Sequence, residues 1–435
     1  MLPRPVLAAL AAAASFCHAQ PPAAALPKAP VKAGARIAIV GDSITEQKLY
    51  SRFMASYLYA AHPQLDVRVV QFGWSGEAAP GFLARMANDL APFKPDVVTL
   101  CYGMNDGRYA PFNADTGKAY GQALTKIVAQ AKAGGAAVVV GSPGAVDDYF
   151  FGREGDAREV TKRSKMYNPT LGELRNLARK IAKESGQSFA NVHDVMLVAM
   201  RKAQANGALG NEYPVCGYDG FHPAANGQLA MALAFLRALD ISGDLGTVTI
   251  DFRGKPRAEN GHDIVGGNAG TAEIASRRLP FAHAGDAKSP DGTRSILPYL
   301  PFNEEFNRFT LKVQHAPAEK LAVTWGAETK TFSKAELEKG VNLAAAFENH
   351  PLAEAFRRVD RAVAEQQNFQ TMMIKQHITN HRNLARLAAQ DRKLADALDL
   401  VRDRLWAEDA RRHDAVKAVL KSLPVKHAIK VAPAP

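Results

Sequence analysis

The sequence predicts an α/β fold in which a parallel sheet is covered by helices on both faces, followed by a small β region and a C-terminal α-helical hairpin. Three observations predict it. From about residue 35 to 240, short apolar runs alternate with helix-like stretches, and such alternation implies a parallel sheet with both faces buried. After about residue 245, runs such as Thr247–Phe252 alternate in polarity with turns between them, as antiparallel strands do. After residue 350, two apolar stripes recur at helical spacing.

The elements follow in order. Residues 1–19 read as a signal peptide: Arg4 precedes the apolar run Val6–Phe16, and Cys17-His18-Ala19 ends in a small residue before Gln20. Phe16 is too bulky to precede a lipidated cysteine. Residues 20–33, rich in Pro and Ala, read as a linker. Within 34–243, strands are predicted at Arg36–Val40, Leu65–Phe72, Asp96–Cys101 and Ala136–Gly141. Ser188–Val192 is strand-like. Helices are predicted at Gln47–Ala61, Ala84–Leu90, Tyr167–Ser185 and Gln228–Leu239. Residues 244–345 form the β-rich region, with strands at Arg308–Val313 and Lys320–Trp325 and mostly loop between 254 and 300. Ser333-Lys334-Ala335-Glu336 is a capping box that opens a helix ended by Gly340. Residues 346–435 hold the hairpin and tail. Its stripes are Leu352, Phe356, Val359, Val363 and Leu394, Leu398, Val401, Leu405, which read as packing faces of a hairpin docked on the β region. Val425–Val431 alternates weakly and reads as a returning strand.

Composition bounds the function. The 435 residues suffice for two or three domains, with 47% hydrophobic and 22% charged residues, as in ordinary globular proteins. The net charge of +11 comes from basic residues interspersed with acidic ones, so mixed-charge helices explain it and no nucleic-acid partner is expected. Beyond the leader, no window is long and apolar enough for stable membrane insertion. After export, Cys101 and Cys216 remain. A disulfide and two buried thiols are both consistent with their placement. Neither Cys-x-x-Cys nor His-Glu-x-x-His occurs, so no metal or other cofactor is expected.

Four separated segments carry chemistry. Gly41-Asp42-Ser43 ends the first strand. Gly73-Trp74-Ser75-Gly76-Glu77 follows the second. Tyr102-Gly103-Met104-Asn105-Asp106-Gly107 follows the third. Asp219-Gly220-Phe221-His222-Pro223 precedes the last helix of the domain. Taken singly, each has a plain structural reading: Ser43 as a helix N-cap, the glycines and Asn105 as turn residues, Asp219 and His222 as a surface pair. Taken in order and in strand context, they converge on one edge of the sheet.

This ordered set resembles the SGNH, or GDSL-type, hydrolase family across roughly residues 35–240. The resemblance implies a flavodoxin-like three-layer α/β/α fold and hydrolysis of esters, thioesters or related acyl groups. It implies Ser43 as nucleophile, His222 as base and Asp219 as the group orienting the imidazole. It also implies oxyanion donors at the Ser43 N–H, the Gly76 N–H and the Asn105 amide. Gly76, and not Gly73, aligns with the family's Ser-Gly-acid pattern. Trp74, Tyr102, Arg108 and Tyr109 flank the blocks as candidate substrate contacts, with packing an equal reading for the aromatics. Asp42 is expected to brace loops. His193-Asp194 is expected to be structural. Gly340-Val341-Asn342-Leu343-Ala344 is similar to a segment in C-terminal extensions of exported bacterial GDSL-type proteins, and implies no activity.

The function expected is that of a secreted or periplasmic serine esterase acting on short-chain acyl or O-acetyl groups of carbohydrate, on a small-molecule or polysaccharide substrate. Lipase, lysophospholipase and thioesterase activities of the same family are alternatives, and a carbohydrate-binding or cell-envelope scaffold is an alternative of another class.

Overall fold

The computed structural model describes residues 26–151 and 157–435. The expected signal segment and residues 20–25 of the expected linker lie outside these. Residues 26–33 are not free of the domain, since Ala29 is buried and donates its N–H to Ala238 at 2.9 Å.

The apolar runs form a five-stranded sheet of β1 (Arg36–Gly41), β2 (Arg68–Gly73), β3 (Val97–Cys101), β4 (Ala137–Gly141) and β5 (Ser188–Ala190). All neighbours are parallel, in the order β2-β1-β3-β4-β5. Period-two alternation splits the strands between two cores. Ile37, Ile39, Val69 and Val139 join one cluster; Ala38, Val40, Val70, Val98, Leu100 and Val138 join the other. The first core is closed by α2 (Tyr50–Ala61), which follows the short α1 (Ser43–Glu46). On the other face lie α3 (Ala79–Asp89), α4 (Ala114–Ala133) and α5 (Ala157–Ser185). The first face is completed by α6 (Val192–Asn206) and α7 (Ala225–Ala238). Helices α4 and α6 were not expected from the sequence. The apolar residues of α4 are diluted by Gly117 and Gly121, and its start is marked only by Asn113, whose side chain accepts the Thr116 N–H at 2.9 Å.

The strand order reverses at β1, which lies between β2 and β3. Open α/β sheets bind ligands outside the carboxyl ends at such a switch point. In register, Gly41 lies level with both Gly73 and Cys101. The loops after β1, β2 and β3 therefore leave the sheet side by side.

The accessory region begins with β6 (Asp244–Asp251), β7 (Arg257–Ala258), β8 (His262–Asn268) and β9 (Thr271–Ser276). It continues through α8 (Phe302–Phe306), β10 (Arg308–Gln314), β11 (Lys320–Trp325), β12 (Glu328–Ser333), α9 (Lys334–Lys339), β13 (Val341–Asn342) and α10 (Leu343–Ala346). The span 254–300 thus contains three strands where loop was expected. Strand β7 spans two residues and β8 carries Gly266 and Gly267, which hides the alternation of both. Strand β10 pairs in parallel with β6 and sits in a different sheet from β11. Downstream lie α11 (Ala353–Met372), α12 (His381–Ala388) and α13 (Arg392–Leu420). The chain returns as β14 (Val425–Pro433) in the middle of the second accessory sheet, between β11 and β9.

The hairpin docks differently from the expectation. Helix α11 lies on α2 and β2 of the α/β domain. Ser51 and Ser56 donate to Gln367 and Asp360, each at 2.9 Å. The stripe Leu352, Phe356, Val359 and Val363 is buried, whereas Val401 on α13 is 45% exposed. Helix α13 packs on α11 and α12, and Trp406 near its middle stacks on Phe93 at 5.5 Å.

Candidate active site

Asp42 starts the site. Its Oδ1 accepts the Ile44 N–H at 3.0 Å, so it caps α1 and holds Ser43 at the helix's first position. Asp42 is 3% exposed, and burial pushes its carboxyl up to about 7. This is a bracing role, as expected.

Ser43 is half-buried. Its Oγ lies 2.8 Å from His222 Nε2, and His222 Nδ1 lies 2.7 Å from Asp219 Oδ2. Asp219 Oδ1 also accepts the backbone N–H of Phe221 at 3.0 Å and of His222 at 2.8 Å. Partial burial works to raise the Asp219 pKa, but these hydrogen bonds prevail and hold it below the usual carboxylate range. An ionised Asp219 only accepts, so Nδ1 carries the ring proton. Nε2 then presents its lone pair to the Ser43 hydroxyl.

The loop after β2 is braced on several sides. Arg85 forms a two-pronged bond to Glu77 at 2.7 and 2.8 Å, with both side chains buried. Glu46 Oε2 accepts the Ser75 N–H at 2.5 Å and its hydroxyl at 2.6 Å. Gly73 packs backbone to backbone, since a Cβ there would meet Glu46 N at 2.3 Å. Gly76 is different. It has φ +73° and open space where a Cβ would stand, so its glycine serves a left-handed turn at the cavity edge. Asn105, after β3, donates one amide N–H to the Glu77 carbonyl at 3.1 Å and accepts from the Tyr109 hydroxyl at 3.2 Å. An amide carries two N–H groups, which leaves one for a ligand.

Ser43, Gly76, Asn105, Asp219 and His222 line one cavity of about 630 Å³, with Glu46, Gln47, Lys48, Ser75, Tyr109 and Phe221. Of the candidate substrate contacts, Tyr109 is in this lining, stacked on Tyr167 at 5.1 Å and edge-on to Phe221 at 5.5 Å. Tyr102 is not. It is 1% exposed and donates to Glu77 Oε2 at 2.6 Å, beneath the loop. Trp74 also lies outside the lining, between the Arg85 guanidinium at 5.1 Å and the Lys375 ammonium at 5.4 Å from its ring centre. Arg108 is exposed and outside it as well. Adjacency in sequence was the signal for these three, but neighbouring loop residues point to opposite sides. Glu46, Gln47 and Lys48 were not among the expected site residues, although each lies within five residues of Ser43, and Ser75 and Phe221 lie inside recognised blocks without a role having been assigned to them.

Cys101 and Cys216 are buried free thiols. His193 is buried at the start of α6, and Asp194 pairs with Arg175, in keeping with a structural role. Among the described residues, no cluster of three or more His, Cys, Asp or Glu could hold a metal ion, and no helix is long and apolar enough to cross a membrane.

Residues 39–230, which contain all four blocks, match the GDSL-like Lipase/Acylhydrolase family. An acetylxylan esterase from Geobacillus stearothermophilus is 25% identical over 231 residues, covering 48% of this chain and 95% of that protein. A crystal structure of an acetylxylan esterase from the same organism covers 48% of this chain and 96% of its own, at 23% identity and a TM-score of 0.39. The structure of a gut microbial diltiazem-metabolizing enzyme is 21% identical, with a TM-score of 0.72 over 93% of this chain and 99% of that one. That likeness is one of fold, and it spans the accessory regions too. The ordered blocks, the parallel sheet and the matched segment together identify residues 39–230 as a GDSL-like lipase/acylhydrolase domain, that of a serine hydrolase of carboxylic esters.

Proposed function

We propose that this protein is an exported esterase that removes short acyl groups, above all O-acetyl groups, from carbohydrate, with Ser43 as nucleophile. The observation that carries the reading is the continuous hydrogen-bonded line Ser43–His222–Asp219 on a cavity that also holds Gly76 and Asn105. Ser43 Oγ attacks the ester carbonyl as His222 Nε2 takes its proton. The tetrahedral oxyanion is met by the N–H groups of Ser43 and Gly76 and the free N–H of Asn105. His222 then protonates the departing alcohol oxygen, leaving an acyl-Ser43. A water molecule repeats the sequence and releases the acid.

The lining supports a polar substrate. Glu46, Gln47, Lys48, Ser75 and Asn105 offer hydrogen-bonding groups, and Tyr109 and Phe221 supply ring faces beside His222. A sugar ring presents hydroxyls and C–H faces that suit such a wall, whereas a long acyl chain requires continuous apolar lining. The similarity to an acetylxylan esterase points the same way. Export rests on the leader-like residues 1–19.

The experiment compares acetate release from acetylated xylan with hydrolysis of p-nitrophenyl acetate and octanoate, using wild type and Ser43→Ala. Acetate release that disappears in Ser43→Ala is the expected result. Activity confined to the octanoate ester would contradict the carbohydrate reading.

A further inference from the structure

The C-terminal extension reaches the site through the Lys375 side chain. Lys375 lies in a π-helical turn, Met373–His377, between α11 and α12. Such turns are uncommon and recur at functional positions. Met373 and Ile374 are buried beside it in the core on the α3 face, which anchors the turn. The Lys375 ammonium bonds both carboxylate oxygens of Glu46, at 2.7 and 2.8 Å. Glu46 is the last residue of α1, the helix that Ser43 begins. The same carboxylate holds the N–H and hydroxyl of Ser75, the residue before Gly76.

We infer that Lys375 is a positioning residue for ester hydrolysis: by fixing the Glu46 carboxylate it fixes Ser75, and through Ser75 the Gly76 N–H. The inference rests on the proposed oxyanion role of Gly76. The geometry favours positioning over plain stabilisation. The pair is part-buried, with the Lys375 and Glu46 side chains 31% and 18% exposed, so it is screened less than a surface pair and holds a defined geometry. It also joins three segments far apart in the chain, Ser43–Glu46, Trp74–Gly76 and Met373–His377, at the cavity edge. Small displacements of a donor at the reacting centre have large effects on rate. The extension is thereby part of the site's machinery, which gives a catalytic reason for keeping it.

The test compares wild type, Lys375→Met, Lys375→Arg, Glu46→Gln, the Lys375→Met/Glu46→Gln double variant and Ser43→Ala on p-nitrophenyl acetate. A fluorophosphonate titration counts competent sites. Lys375→Met and Glu46→Gln should each lower kcat about tenfold with KM within about twofold of wild type. The double variant should be no worse than either single variant, because both break one line of contacts. Lys375→Arg should restore most of the turnover. A kcat within about twofold of wild type in Lys375→Met, losses that multiply in the double variant, or a loss confined to the count of titratable sites would overturn the inference. Should Lys375→Met fail to fold, Glu46→Gln decides alone by the same kcat criterion. Activity surviving in Ser43→Ala would instead sink the reading of Ser43 itself, so the two failures are separable.

Discussion

Ser43 owes its position to its neighbours. Asp42 caps α1, β1 ends level with β2 and β3, and Asp219 holds His222 in the tautomer that accepts the Ser43 proton. Two substitutions separate the roles proposed for nearby residues. Asn105→Ala removes a donor from the cavity, and kcat should fall about 100-fold or more with little change in KM. Tyr102→Phe removes a hydroxyl that donates to the buried Glu77 carboxylate. It should cost about 1–3 kcal/mol in urea unfolding and leave acyl-chain preference unchanged. A shift in chain preference in Tyr102→Phe would restore it as a substrate contact. These residues also show what a sequence can disclose. The members of each block are close in the chain, and the strand pattern states where each block leaves the sheet, so Ser43, Gly76, Asn105 and His222 could be placed together. Which way a loop side chain turns depends on partners such as Glu77 and Arg85, which periodicity does not reveal.

At the level of elements, β2 is an edge strand, and an uncovered edge leaves unpaired backbone groups. Helix α11 covers it. Gln370 accepts the Gln71 N–H at 3.1 Å and donates to the Val69 carbonyl at 3.3 Å and to Asp409 at 2.9 Å. A buried glutamine thus substitutes for a neighbouring strand. Gln370→Leu would leave these groups unsatisfied and should lower stability by about 2–3 kcal/mol, read from the urea midpoint. An unchanged midpoint would show that the edge does not depend on α11. The sequence announces α11 as a helix through its apolar stripe. It does not announce the docking partner, because the hydrogen bonds to α2 and β2 run through Ser, Gln and Asp side chains that read as solvent-facing. The tail strand β14 was legible only weakly, since its partners β9 and β11 lie about 150 and 100 residues away along the chain.

At the scale of the whole molecule, pH links the accessory sheets to stability. Trp325 Nε1 can only donate, and it meets His427 Nδ1 at 3.0 Å. His427 Nε2 then donates to Ser276 Oγ, which donates to His262 Nδ1, each at 2.7 Å. His262 Nε2 donates to the Leu245 carbonyl, also at 2.7 Å. This chain is complete only with both histidines neutral. Burial is the chief cause that pushes His262, His283, His413 and His427 down to about 4 and His62 and His350 to about 3. Free histidines titrate near 6.5, so between about pH 6.5 and 4 the unfolded chain binds more protons and stability falls as pH is lowered. Asp42, Asp106 and Asp147 act in the opposite sense, because burial raises them to about 7, 6 and 6. Their shifts are similar in size and their number smaller, so the histidines prevail. The urea midpoint at pH 5 should lie below that at pH 7.5, by about 3 kcal/mol or more in unfolding free energy. An equal or higher midpoint at pH 5 would contradict this balance.

The central claim, that one serine of the whole chain forms the acyl-enzyme, is tested most directly by intact-mass and peptide mapping after reaction with a fluorophosphonate. A single adduct on the peptide containing Ser43, absent in Ser43→Ala together with all ester hydrolysis, is the predicted result. No adduct, an adduct on another serine, or hydrolysis that persists in Ser43→Ala would contradict it.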